Sequence, residues 1–207
     1  MAIENIVHTY RSDPIQGIDR VLAIRYGAWT SDPYYKNNTE NRGRNDYYEI
    51  RGVPHAFVDG GNPMLGSNEI RDNIENNIRN RLNLPSPYKL NVDGDISTAS
   101  VEVTVLLNAS PPAGNTFLRI AVVEQAFNWG TPPGSNGQIH YEGSLLDMVP
   151  DPRGTMLKVL KIGESRTYTF NYNLSQVNFH PNSKISIIAF VQNDSTKEVL
   201  QAGYFHE

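Results

Sequence analysis

Catalysis needs a nucleophile, a proton carrier or a metal, and this sequence of 207 residues offers little of each. It contains no cysteine. The thiolate is the attacking species in thiol–disulfide exchange. That chemistry is therefore excluded for this chain, together with disulfides and cysteine metal sites. The histidines are His8, His55, His140, His180 and His206. None stands in a His-x-x-x-His spacing, so no metal and no cofactor is expected. Asp93-Gly94-Asp95 has its glycine in the wrong place for a calcium loop and reads as a turn between strands. Gly134-Ser135-Asn136-Gly137 lacks the Gly-Lys-Ser/Thr of a phosphate loop, and no serine sits in a Gly-x-Ser-x-Gly elbow. No catalytic residue is assigned. What remains is recognition. Exposed aromatics are favoured binding anchors, and Tyr26, Trp29, Tyr34 and Tyr35 lie close together, with Trp129 and Tyr141 further on. Core packing is expected for most of these rings, least so for Trp29 and Trp129. His55 follows Pro54 and is expected to be structural unless a partner binds there. The candidate binding set is Pro54, His55, Trp29, Tyr34 and Trp129.

The elements that must position these residues centre on Gly52-Val53-Pro54-His55-Ala56-Phe57-Val58-Asp59-Gly60. A proline before an apolar run closed by Asp-Gly reads as a strand bounded by turns. Proline pushes Val53 towards an extended conformation, and Val53-Pro54 is the candidate for a cis bond. Asn62 to Gly66 can return as a second strand. Ser67 then opens a helix with Ile70, Ile74, Ile78 and Leu82 on one side. Upstream, Ala2 to Arg11 reads as a helix. Arg20 to Tyr26 reads as a strand of the kind buried in a parallel sheet. Thr39 to Tyr48 reads as a polar helix.

Leu84-Pro85-Ser86-Pro87-Tyr88 is a short, stiff linker. Beyond it Leu90, Val92, Val101, Val103 and Val105 alternate with polar residues, the mark of half-buried antiparallel strands. Further strands are predicted over 117–127, 155–160, 166–172, 184–192 and 198–205. Residues 138–149 read as an irregular or helical crossing. Asn128 to Gly137 reads as an exposed loop. About seven strands at this spacing suggest a β-sandwich of immunoglobulin-like type.

Several of these residues resemble a known family. Gly52-Val53-Pro54, two strands and a helix look like the C-terminal half of a thioredoxin-like domain, with Pro54 as its cis-proline. Asp32-Pro33-Tyr34-Tyr35, Arg44 and Tyr47-Tyr48 before it resemble the 28-kDa outer-membrane-protein family of Bacteroidetes-type bacteria. So do Leu118 to Glu124, Leu146 to Pro150, Ala189 to Asp194 and Lys197 to Ala202. The resemblance implies an α+β chain of two domains: a thioredoxin-like unit over residues 1–84 and a β-sandwich over 88–207. It also implies that the chain begins inside the first helix, with the cysteine motif and the central strand upstream of Met1. The gap would be closed by the two flanking strands meeting, or by a strand from a second copy in a strand-exchanged homodimer.

Composition narrows the function. The net charge is −4, with no Lys/Arg run, so nucleic acid is not an expected partner. No apolar run approaches the roughly 18 residues that span a bilayer. No signal peptide is visible at Met1-Ala2-Ile3-Glu4-Asn5. The expectation is a non-catalytic interaction protein, bound to protein or peptide partners. The family resemblance implies the cell surface, the outer membrane or secretion as its setting. The alternative is a fragment of a thiol–disulfide oxidoreductase whose Cys-x-x-Cys lies upstream.

Overall fold

The computed structural model describes residues 20–30, 32–35, 39–135, 137–175, 177, 179–180 and 182–206. The helix read over 2–11 lies outside them. Two helices and ten strands are formed among the described residues, with every strand pair antiparallel. The C-terminal part holds two sheets. One has the order β3–β4–β8, from Tyr88–Asp95, Ser100–Leu107 and Ser165–Asn171. The other has the order β10–β9–β5–β6, from Val199–His206, Ile185–Asn193, Thr116–Asn128 and His140–Val149, with a short β7 (Thr155–Met156) on β5.

The side-chain alternation of β4 explains why these sheets pack face to face. Val101, Val103, Val105 and Leu107 point inward and are buried, and they meet Leu118, Ile120 and Val122 of β5 and Ile187, Ala189 and Val191 of β9. The intervening residues of β4 and β8 face water. The larger sheet behaves differently. All of β9 is buried, and so is a run of β5 from Leu118 to Glu124. A strand is buried throughout only when both its faces are covered. Leu22, Ile24 and Tyr26 cover the outer face, packing on Ala121, Val123, Leu145, Met148, Ile188 and Phe190.

The remaining unit is a hairpin of β1 (His55–Val58) and β2 (Gly61–Leu65) with α2 (Ser67–Leu82) laid on it. Asp59 and Gly60 both have positive φ, 48° and 74°. A two-residue loop with that pair of angles matches the right-handed twist of the strands it joins, and Asp-Gly is among its preferred sequences. Ile70, Ile74 and Ile78 bury one face of α2 against Met64. The Val53–Pro54 and Val149–Pro150 peptide bonds are cis. Arg81 in the last turn of α2 fastens this unit to the sandwich. Its Nε donates to Asp59 Oδ2 at 2.8 Å, its Nη1 to Glu198 Oε1 at 2.6 Å and its Nη2 to the Val199 carbonyl at 3.1 Å.

Four expectations are corrected. Residues 20–26 do not enter a sheet with β1. They run beside β6, where Arg25 makes one parallel bridge to Ser144. The apolar alternation of Leu22, Ile24 and Tyr26 is real, but the sheet it serves is the sandwich sheet. The gap beside β1 is accordingly not closed by that strand: among the described residues β1 pairs only with β2. Residues 140–149 form β6, not an irregular crossing. A bulge within it, where Leu146 is the extra residue facing the step from Val122 to Val123, and the positive φ of Gly143 break the two-residue rhythm by which a strand is recognised. The strand read over 155–160 stops at Met156, and the buried leucines that follow are three apart, at Leu157 and Leu160. Asp93 and Gly94 lie within β3, and the turn they were expected to form begins after Asp95.

Candidate functional site

The outer face of the large sheet carries a buried polar cluster. Arg119 interrupts the apolar run of β5, and the pleat turns it away from the sandwich core, opposite to Leu118 and Ile120. Gln192 follows Ile188 and Phe190 on the same face of β9. Arg44 comes down onto both from α1 (Thr39–Tyr47). Arg44 and Arg119 are 0% and 1% exposed. Gln192 Oε1 accepts from Arg44 Nη2 at 2.9 Å and from Arg119 Nη1 at 3.1 Å. Gln192 Nε2 donates to the Tyr48 hydroxyl at 2.9 Å. Arg119 Nη2 pairs with Asp194 Oδ1 at 2.7 Å, and the Tyr47 hydroxyl donates to the same oxygen at 2.9 Å. Both guanidiniums lie over aromatic rings: Arg44 Cζ is 4.4 Å from the centroid of Tyr47 and 4.8 Å from that of Tyr48. A desolvated cation gains from such a ring face. The cluster joins α1, β5, β9 and the β9–β10 turn.

An open pocket of about 320 Å³ borders the cluster, lined by Gly43, Tyr47, Arg119, Asp151, Pro152, Arg153 and Asp194. Its charges are matched in pairs, Arg119 with Asp194 and Arg153 with Asp151. The arrangement can hold polar groups in place.

A second buried contact lies towards β6. The Tyr34 hydroxyl donates to Glu124 Oε2, and Glu124 Oε1 accepts from the His180 backbone N–H at 3.0 Å. Tyr34 packs on Tyr141, and Arg25 Cζ sits 4.3 Å from the Tyr141 centroid. Burial raises the pKa of Tyr34, and the Glu124 carboxylate raises it further. Burial likewise raises Tyr47, helped by its bond to Asp194. It raises Tyr26 too, against the opposing charge of Arg44. The ordinary phenol value is 10.0. Unfolded tyrosines ionise there while the folded ones keep their protons. The unfolded state then binds fewer protons, and stability falls as pH rises. The urea midpoint is expected to stay level up to about pH 10 and to fall steeply above it. Tyr34→Phe and Tyr47→Phe should each flatten that fall, and an unchanged alkaline slope in both variants would refute the assignment.

The predicted binding residues are not gathered in one place. Pro54 is exposed, as is Trp29. His55 is half-buried and stacks on Phe57 at 4.7 Å, which stacks on Tyr48 at 4.5 Å. That aromatic column ties His55 to the arginine cluster and suits the structural role expected of it. Tyr34 is buried with its hydroxyl engaged, so it cannot serve as a surface anchor. Trp129 is half-buried against the sandwich core. Among the described residues no hydrogen bond or ring contact joins Pro54 or His55 to Trp29, Tyr34 or Trp129, and no group of acids and histidines could hold a metal ion. Arg44, Arg119 and Gln192 were not singled out from the sequence as site residues. A lone arginine inside Leu118-Arg119-Ile120-Ala121-Val122 was the available signal, because arginine is almost never fully buried unless it is paired.

No family model matches the chain, and no curated protein does. Solved structures do. HBP35 of Porphyromonas gingivalis superposes with a TM-score of 0.63 at 18% identity, covering 84% of this chain. The present chain spans 59% of the HBP35 chain. Protein AGR_C_4864 from Agrobacterium tumefaciens gives a TM-score of 0.54 at 13% identity, covering 88% of this chain and 77% of its own. A domain of the outer membrane lipoprotein Omp28 from P. gingivalis is 19% identical over 59% of this chain and 89% of its own, with a TM-score of 0.35. At these identities the first two likenesses show a shared fold and no more, and the third carries no argument.

Proposed function

We propose that this chain is a non-catalytic interaction protein of the bacterial cell surface, the outer membrane or the secreted fraction, which takes an extended segment of a protein partner along the free edge of β1. The setting comes from the family resemblance of the sequence. On this reading residues 1–84 are the thioredoxin-like unit and 88–207 the immunoglobulin-like sandwich. One observation supports the mode of binding. Among the described residues β1 has a strand on one side only. An unpaired edge presents backbone donors and acceptors to another chain. The exposed Val53 and Pro54 lead into it. Alternate side chains of an added strand would find apolar contact there. The chain carries no cysteine, so an insulin-reduction assay should show no turnover.

The test is a library of short extended peptides panned on the intact chain. Enriched peptides are expected to lose at least about tenfold in affinity when alternate backbone nitrogens are methylated, because strand addition depends on main-chain hydrogen bonds. If no peptide is enriched, or methylation at every position is without effect, the reading fails. It fails also if light scattering shows a dimer paired along this edge, for the edge is then already filled.

A further inference from the structure

The connection from β7 to β8 carries a pattern that the sandwich does not need. Residues 157–162 are two copies of one triplet, Leu157-Lys158-Val159 and Leu160-Lys161-Ile162, and Met156 precedes them. Leu157 and Leu160 are buried in the sandwich core. Met156, Val159 and Ile162 are 55%, 97% and 63% exposed. Lys158 and Lys161 are exposed as well. A three-residue spacing therefore sorts the segment into a leucine row held in the core, a lysine row and an outward aliphatic row.

The strap is tied down. Leu157 N–H donates to the Thr116 carbonyl at 2.9 Å, and Gly163 N–H to the Leu107 carbonyl at 2.7 Å. Scattered exposed aliphatic residues are ordinary on protein surfaces, but three within seven residues, beside two lysines, suit an interaction site. The neighbouring connection from β4 to β5, Asn108-Ala109-Ser110-Pro111-Pro112-Ala113-Gly114-Asn115, contains no charged residue. The nearest acid in sequence, Glu164, closes the end of the strap, its Oε2 accepting from the Lys161 backbone N–H at 2.9 Å. Residues 157–162 themselves carry Lys158 and Lys161 and no acid, on a chain whose net charge is −4.

We propose that this strap docks the protein on an anionic lipid surface. Aliphatic side chains next to lysines suit the boundary between headgroups and acyl chains. The aliphatic row enters the boundary while the lysine ammoniums stay among lipid phosphates. Val159, at the centre of the row, is 97% exposed, which suits insertion into a yielding lipid layer. The charge pattern selects anionic over zwitterionic lipid.

Cosedimentation of the intact chain with vesicles tests this. Binding is expected to phosphatidylglycerol–phosphatidylcholine vesicles, to be much weaker to phosphatidylcholine alone, and to fall with added salt. Val159→Asp should lower it at least about tenfold with an unchanged melting temperature, since that side chain makes almost no contact within the fold. The pair Lys158→Glu and Lys161→Glu should remove the preference for anionic lipid. Val159→Trp should blue-shift its fluorescence only when anionic vesicles are added. The proposal is overturned if the native chain stays in the supernatant with anionic vesicles, or if Val159→Asp binds as the native chain does. It is overturned equally if Val159→Asp abolishes a self-association seen without lipid, because the row is then an interface between copies.

Discussion

Arg119→Met is expected to lower the stability of the protein by about 3 kcal/mol, the lower end of the cost of breaking a buried ion pair, because Asp194 is 29% exposed. Methionine keeps most of the side-chain volume, so the loss is electrostatic rather than a cavity effect. The substitution leaves Asp194 facing the Tyr47 hydroxyl alone, and Gln192 Oε1 with Arg44 as its remaining donor among the bonds described above. For a chain of about this length each kcal/mol moves the melting midpoint by roughly 2–4 °C, so a fall of about 10 °C should be seen. Two companions make the result specific. Arg153→Met, at the exposed pair across the pocket, should stay within about 0.5 kcal/mol of the native chain. Combining Arg119→Met with Asp194→Asn should recover part of the loss, because the stranded carboxylate accounts for much of it. A single-variant loss below about 1 kcal/mol would show that the cluster does not hold α1 to the sheet.

Gly60→Ala should cost a similar amount for a different reason. A Cβ at this position would lie 1.9 Å from the Lys197 carbonyl oxygen and 3.0 Å from Gln192 Nε2. The hairpin turn therefore has to move away from the β9–β10 turn. The φ of +74° adds the left-handed strain that any L side chain meets. Gly137→Ala separates these two contributions. Its φ is +72° and nothing lies within 4 Å of the added carbon, so it should cost only about 1–2 kcal/mol. Gly60→Ala is expected to cost about 3 kcal/mol or more. It should also speed amide exchange at Val199, whose N–H donates to the Asp59 carbonyl at 2.8 Å. Equal costs at the two glycines would mean that the hairpin is not held against the sandwich at this point.

Both predictions concern joints between segments far apart in the chain, and these joints are where reading the residues ran out. Val101, Val103 and Val105 announced a strand with one wet face. Ile70, Ile74 and Ile78 announced a helix with one apolar face. Asp59-Gly60 announced a two-residue turn. In each case the period of the burial pattern equals the period of the element. Residues 140–149 broke that rule through a bulge and a glycine kink, so their strand was invisible. Residues 20–26 read as a strand, but they make a single bridge at Arg25, with Leu22, Ile24 and Tyr26 packed on one sheet face. The apolar pattern named no partner, and the expected setting was a sheet shared with β1 rather than the outer face of the β5–β9 sheet. Tyr34 shows the same limit in one side chain: an aromatic near the candidate loop looked like an anchor until burial and its bond to Glu124 placed it inside.

The sequence alone determined the absence of sulfur chemistry, the hairpin and helix after Pro54 and the antiparallel character of the C-terminal half. These follow from residue types and from spacings within one element. Only the tertiary structure decided that the large sheet is covered on both faces, that Arg44 and Arg119 share one glutamine, and that the outward row at Met156, Val159 and Ile162 stays uncovered. Covering a surface is a relation between segments separated by up to about 150 positions, as with Arg44 and Gln192 at a separation of 148. Local periodicity records that a face must be buried, and only the assembled chain settles what buries it.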